Sequence, residues 1–284
     1  MDLDVVVVTH QSEAALRDCM GGLPARMRQR IIVVDNASTD GSAAVGRANG
    51  ARVLLQERNL GFGRAANVGA RAATATHLCF LNPDCLPDSE LFVAGLERLR
   101  AEPNVCAAAD LCEPDGVTVA GCQPGYSFLK LLHDALLSNY RGDRLSAAMR
   151  RHRGFDDVSW RWPHGACFFV ARDRFLRLGG FDESYFLYME DVDFGRRFCR
   201  AGGAVVPLNR SVRHRARSGA RIGRVRRLWH LDAARVRYAA RHYGLWRTLA
   251  VAAVSAPGLL GHAVRQMVSG PRSRPSDSDV RVTP

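Results

Sequence analysis

The sequence predicts an α/β fold, a mostly parallel central sheet with helices on both faces. Three observations carry that expectation. The runs Val5 to Val8 and Ile31 to Val34 are continuous and β-branched, as expected of strands covered on both sides. Strand-like and helix-like segments alternate through roughly the first hundred residues, the signature of βα units. Polar residues also gather where strands end, at Thr9, Asp35 and Asp84, and ligands bind outside the carboxyl ends of strands in such sheets.

Each element has a local reason. After the first strand, Ser12 stands where it can cap a helix reaching Met20, and the run from Ser38 to Ser42 can cap a second, short helix. Val53-Leu54-Leu55 reads as a third strand. The loop Arg58 to Gly63 leads into a helix from Arg64 to Ala73, to which Asn67 is expected to tie that loop. His77 to Leu81 is the fourth strand, Asp88 opens a helix to Arg100, and Val105 to Ala109 is strand-like. Phe128 to Leu137 reads as helix, Arg141 to Arg153 as a basic mobile segment, and Ala166 to Val170 as strand. Asp173 to Leu178 follows, then a helix closed near Arg200 by Gly202-Gly203, and Ala204 to Val206 as a last strand leading to His214.

Composition bounds the function. The chain has 284 residues and a formal charge of +12, carried by arginine because Lys130 is its single lysine. Nucleic acid, an anionic membrane face or a phosphorylated small substrate could each answer that charge. The arginines show no interleaved aromatics and no recognition module, which argues against nucleic acid. None of the eight cysteines forms a C-x-x-C pair, so a zinc knuckle is excluded, and several lie in apolar runs as buried thiols. The opening Met1-Asp2-Leu3-Asp4 has no basic n-region, consistent with a reducing cytoplasm.

The most informative stretch is Phe181 to Arg197. Glu190, Asp191 and Asp193 open a helix directly after the aromatic residues Tyr185, Phe186 and Tyr188. Acids in a first turn complement the helix dipole, and that alone could explain them. Carboxylates set beside an apolar wall can equally be tuned as general bases. Asp193 and Arg197, four apart, suit a structural pair. Asp35 could accept from a ribose hydroxyl or a base, or merely cap a turn. Asp84, aimed by Pro83 in Asn82-Pro83-Asp84, could hold a hard divalent cation that binds a diphosphate. His214, between Arg213 and Arg215, could serve a metal or phosphate, and Arg213, Arg215 and Arg217 could hold anionic groups. Gly61-Phe62-Gly63 lacks the third glycine of a dinucleotide fingerprint, which rejects a Rossmann cofactor, though its glycines permit close backbone approach to a ligand.

In order along the chain, Val6-Val7-Val8-Thr9-His10, Val33 to Ser42, Asn59 to Asn67, Leu81-Asn82-Pro83-Asp84, Gly165-Ala166-Cys167, Gly179 to Glu183 and Glu190 to Asp193 resemble the inverting family-2 glycosyltransferases of GT-A fold, rhamnosyltransferase-like branch. The resemblance covers residues 3 to 217. It implies that Asp191 is the catalytic base with Glu190 beside it. It further implies a nucleotide-sugar site of Thr9, Asp35, Asn36, Asn59, Gly63, Asn82 and Gly165, and a metal site of Asp84 and His214 for Mg2+ or Mn2+. Asn82 replaces the first acid of the family's D-x-D motif, which loosens the metal requirement. The implied donor is a nucleoside diphosphate sugar (dTDP-rhamnose, or a UDP- or GDP-sugar), and the acceptor a saccharide or lipid-linked saccharide of the cell surface. A sugar nucleotidyltransferase would need a glycine-rich basic loop after the first strand, which Thr9-His10-Gln11-Ser12 does not offer. A catalytically silent nucleotide-sugar or membrane-scaffold protein is the other alternative, discriminated by the intact acids at 84 and 191.

The expected organisation is a catalytic domain over 1–220, a helical segment over 221–270 and a disordered tail over 271–284. Leu245 to Val268 is apolar but interrupted by Arg247, Pro257, Gly258, Gly261, His262 and Arg265, short of the ~20 residues that span a bilayer. It reads either as an interfacial amphipathic segment touching an anionic membrane or as a plain packing helix. The expected location is cytoplasmic, peripheral on the inner face of the cell membrane.

Overall fold

The computed structural model describes residues 2–140, 158–215 and 224–256. The expectations for Arg141 to Arg153, for Arg217, for the apolar stretch from Pro257 and for the tail lie outside the described residues.

Among the described residues, nine strands form one sheet. Its order begins with β3 (Arg52–Leu55), β2 (Ile31–Asp35), β1 (Leu3–Thr9) and β4 (His77–Leu81). It continues with β10 (Cys167–Ala171), β6 (Val105–Cys112), β11 (Ala204–His214) and β5 (Cys85–Leu86), and β7 (Thr118–Val119) lies beside β6, while β8 (Cys122–Pro124) and β9 (Arg161–Pro163) pair in a separate antiparallel ribbon. The β1–β4 half is parallel, as predicted. β10 runs antiparallel between β4 and β6, reversing the chain direction in mid-sheet.

Register positions the functional residues. Thr9 lies opposite Asp35. Cys167 lies opposite Leu81, so the segment before β10 meets the Asn82 turn. His214 lies opposite Cys85, which brings it to Asp84. β6 runs three residues further than its apolar core implied, because β11 continues to pair with it through Cys112 after an irregularity between Pro207 and Ser211.

The helices follow the predicted positions, with two corrections in how they are held. Ser12 precedes α1 (Glu13–Gly22), but its hydroxyl donates to the His10 carbonyl and does not cap the helix. Asp40 does that work from a distance, accepting from the N–H of Glu13 and from that of Ser42 at the head of α2 (Ser42–Ala48). Asn67, on α3 (Phe62–Ala72), does not tie its own loop. Its amide donates to the Phe181 carbonyl and accepts from the Phe181 N–H, joining α3 to the strap that precedes the acidic helix. Asp88 caps α4 (Ser89–Ala101) as expected. α5 (Phe128–Tyr140) and α6 (Arg172–Arg177) fall where they were read.

The acidic helix is α7 (Glu190–Arg200). Phe194 and Phe198 are fully buried and pack against one face of the sheet, with Phe80, Phe168, Phe175 and Phe181 in the same cluster. Burial of such rings contributes about 1.5–3 kcal/mol each, which fixes the helix at its apolar side. On the other side lies α8 (Arg224–His242), whose Ala234, Tyr238 and Ala239 join Tyr185, Met189 and Val192 in a separate core. A further helix covers 245–256. Among the described residues no helix is long and apolar enough to cross a membrane.

Candidate active site

Two carboxylates separated by more than a hundred residues are referenced to one short backbone segment. The N–H of Gly165 donates to Oδ2 of Asp191 at 3.0 Å. The next carbonyl, of Ala166, accepts from the N–H of Asn82 at 2.8 Å, at the turn that carries Asp84. Asp191 and the turn that carries Asp84 are therefore both tied to the 164–166 segment.

The approach to Asp191 is strained. Tyr188 and Met189, immediately before the helix, both adopt left-handed backbone (φ 70° and 67°), a conformation costly for bulky residues. The surrounding strap enforces it. The Phe186 carbonyl accepts from Phe62 N–H, and the Phe186 ring stacks on His230 of α8. Gly61 makes this possible: at φ 83°, any β-carbon would sit 2.1 Å from the Phe186 carbonyl oxygen. The backbone approach foreseen at these glycines is thus one of the protein to itself, and Gly63 likewise lies against Phe181 and Glu190.

The environment raises both acids of the pair. Burial pushes Asp191 up to about 6, against the opposing hydrogen bonds from Gly165 and Val192. Glu190 is pushed up to about 8, by burial first and by the charge of Asp191 second. Its Oε2 is buried and has no hydrogen-bond partner among the described residues, which suits a neutral carboxylic acid. Both carboxyls are thus held above the ordinary carboxylate range, Glu190 further than Asp191, because burial acts on both and the charge of Asp191 adds to the effect on Glu190.

Asp193 points away from this pair. It is completely buried, bonds Arg197 at 2.6 Å as expected, and also bonds His242 of α8 at 2.7 Å with Arg241 at 3.4 Å. Burial opposes its ionisation, but the hydrogen bonds from His242 and Arg197 and the charge of Arg197 outweigh it and keep its carboxyl below the usual range. Asp193 fastens α7 to α8.

Asp84 meets His214, whose Nε2 lies 3.2 Å from Oδ1 of Asp84 while Nδ1 lies 2.9 Å from Oε1 of Glu113. Burial pulls His214 down, yet the two carboxylates outweigh it and raise it to about 9. Asp84, Cys85 and His214 offer ligand atoms within 4.8 Å of one another. Cys85 stays a thiol, raised chiefly by burial, with Sγ directed at the Ala166 carbonyl. The Asp84 carboxylate suits Mg2+ or Mn2+, whereas His214, protonated and bonded through both ring nitrogens, would become a ligand only on losing its Nε2 proton and its bond to Asp84.

At the strand ends, Asp35 is buried and accepts from Ser38 N–H, while the Thr9 hydroxyl is buried with no hydrogen-bond partner among the described residues. Asn36 is the staple of the neighbouring loop: its amide donates to Asn59 Oδ1 and the Gly61 carbonyl and accepts from Leu60 N–H. Asn59 in turn accepts from Gly61 N–H. Arg213 is an exposed residue of β11, and Arg215 bonds Asp18 on the surface. Two residues that the sequence reading passed over belong here. Glu113 stands just past the end of β6, and its role depended on the pairing with β11. His164 lies beside Gly165.

The sequence model of the family described as "Glycosyl transferase family 2" matches residues 4–171. The chain belongs to glycosyl transferase family 2. As a family-2 glycosyltransferase it is 30% identical over 273 residues to the N-acetylglucosaminyl-diphospho-decaprenol L-rhamnosyltransferase of Mycobacterium tuberculosis (strain ATCC 25618 / H37Rv), covering 86% of both chains. It is 22% identical over 249 residues to the rhamnosyltransferase WbbL of Escherichia coli (strain K12), covering 84% of this chain and 92% of WbbL. The transferase also has the GT-A fold of solved structures. The mannosyltransferase PcManGT from Pyrobaculum calidifontis, in complex with GDP-Man and Mn2+, is 17% identical with TM-score 0.55, over 94% of this chain and 80% of that one. GalNAc-T7 with UDP, GalNAc and Mn2+ is 15% identical with TM-score 0.56, over 84% of this chain, which spans 47% of that one.

Proposed function

We propose that this glycosyltransferase moves L-rhamnose from dTDP-rhamnose to a lipid-diphosphate-linked saccharide, with inversion at the anomeric carbon, in the assembly of a cell-surface polysaccharide. The observation that carries this reading is the anchoring of Asp191 and the Asp84 turn to one backbone segment, in a chain 30% identical to an enzyme named for L-rhamnosyl transfer to such an acceptor.

An acceptor hydroxyl is a weak nucleophile until its proton leaves, and Asp191 is the base that takes it as the new bond to the anomeric carbon forms. The Gly165 N–H aims one carboxylate oxygen, and burial keeps its basicity high enough to matter near neutral pH. Glu190, neutral beside it, keeps a second negative charge out of the pair. On the opposite side the bond from the sugar to the diphosphate breaks. Asp84, joined by His214 once that ring has lost its Nε2 proton, would hold Mg2+ or Mn2+, which when bound would neutralise charge on the leaving diphosphate. Thr9, Asp35 and the loop stapled by Asn36 and Asn59 would receive the nucleoside, Asn82 and Gly165 bordering the sugar.

A lipid-linked acceptor requires contact with a membrane surface. In helix 245–256, Leu245 is 67% and Trp246 81% exposed, on a chain with an excess of arginine. Tryptophan beside cationic residues suits the headgroup region of an anionic membrane. The enzyme would act at the cytoplasmic leaflet.

The test is transfer of labelled rhamnose from dTDP-rhamnose to a polyprenyl-diphosphate N-acetylglucosamine acceptor, with Mn2+, Mg2+ or chelator. Manganese-stimulated formation of an extended lipid product with inverted anomeric configuration supports the reading. No product with this donor, alongside product from another nucleotide sugar, overturns the choice of rhamnose.

A further inference from the structure

His164 is fixed at its backbone and at its ring. The backbone N–H donates to the Gly121 carbonyl at 2.7 Å. Its ring lies at 25° to that of Trp162, centroids 6.3 Å apart. Trp162 is itself fixed, with Nε1 donating to the Pro124 carbonyl at 2.8 Å and its backbone pressed against Gly195 of α7, where a β-carbon would come within 2.5 Å.

The hydrogen bonding fixes the tautomer. Nδ1 of His164 accepts from the N–H of Ala166 at 3.3 Å, which leaves the ring proton on Nε2. Nε2–H has no hydrogen-bond partner among the described residues. Burial first, and the positive charge of His214 second, lower the ring to about 4, so it stays neutral at working pH.

Its location lies between the two halves of the proposed chemistry. The adjoining Gly165 grips Asp191, and His164 feels the charges of both His214 and Asp84. A nucleotide sugar with its diphosphate at Asp84 and its reacting carbon near Asp191 would lay its sugar ring along the 164–166 segment. Building on the glycosyltransferase reading, we propose that Nε2–H of His164 donates a hydrogen bond to a hydroxyl of the sugar being transferred, so that His164 helps select the donor sugar. A neutral, oriented donor in a partly buried site discriminates strongly against sugars without a matching acceptor.

The experiment compares the affinity of the intact chain for a nucleoside diphosphate sugar and for the same nucleoside diphosphate without sugar, in Mn2+, by calorimetry. The donor used is whichever of a panel including dTDP-rhamnose stabilises the wild type. His164→Phe keeps a ring but removes the donor, and His164→Asn falls short of the Nε2 position. Both should weaken the nucleotide sugar about 10-fold, the loss of one hydrogen bond's selectivity, and leave the nucleoside diphosphate unchanged. His164→Gln, whose amide reaches the Nε2 position, should recover most of the loss. If His164→Phe does not fold, the contrast of Asn with Gln decides. Equal losses for both ligands, or none for either, overturn the role of His164 while leaving the transferase reading intact. A wild type that binds no nucleotide sugar overturns both.

Discussion

Gly165 donates its backbone N–H to Oδ2 of Asp191 at 3.0 Å, across a sequence gap of 26 residues. That bond restrains the carboxylate of Asp191, and the same segment receives the N–H of Asn82 one residue later. If Asp191 is the base and Asp84 the leaving-group site, their separation follows from the sheet, through the register of β10 against β4.

The pH dependence of transfer follows from the acids at the head of α7. Asp191 must be ionised to accept a proton, and burial raises it to about 6, so kcat/KM should fall as pH drops through about 6. Its shift comes from its own burial, so Glu190→Gln should leave that limb in place. The check is a pH–rate profile of both proteins between pH 5 and 9. A limb near the ordinary carboxylate range would mean that a different group titrates.

Glu190 also links stability to pH. Its folded value, about 8, lies above the ordinary 4.5, so its stabilising contribution is complete below about 4.5 and is lost as pH rises towards 8. Glu190→Gln carries no such loss. Denaturant unfolding should show the variant gaining on the wild type with rising pH, by up to about 1.4 kcal/mol per pH unit between 6 and 8.

Asp193 ties two helices with one buried charge. Asp193→Ala leaves Arg197 and His242 without their carboxylate and should cost roughly 3–5 kcal/mol. The loss should appear as a lowered unfolding midpoint, and α8 should exchange its amide hydrogens faster than the β1–β2 core. Uniform protection of α8 would mean that its apolar contacts alone hold it.

Helix 245–256 gives a prediction about membranes. Replacing Leu245, Trp246 and Leu249 by serine should reduce sedimentation with vesicles containing phosphatidylglycerol while leaving the fold unchanged, since all three are exposed. Unaltered sedimentation would remove this helix from the membrane contact.

Much of this was legible in the chain. The β-branched runs located the parallel half of the sheet, and the i, i+4 spacing paired Asp193 with Arg197. What escaped depended on contacts distant in sequence. The bond of Asp193 to His242 spans 49 residues. Glu113 hid because the apolar run of β6 stops before the strand does, its last residues held by β11. The left-handed backbone of Tyr188 and Met189 leaves no mark in their identity, since neither residue favours it. His164 stood in plain view, but its tautomer rests on the N–H of Ala166, a matter of loop geometry.

The most direct measurement sets Asp84→Ala against Asp191→Asn, scoring donor affinity in Mn2+ and single-turnover transfer for each. Asp191→Asn should bind donor as the wild type does and transfer ~10²–10⁴-fold more slowly, whereas Asp84→Ala should lose donor affinity. If Asp191→Asn transfers normally, or if Asp84→Ala binds donor undiminished, the assignment of base and leaving-group site to these two carboxylates is contradicted.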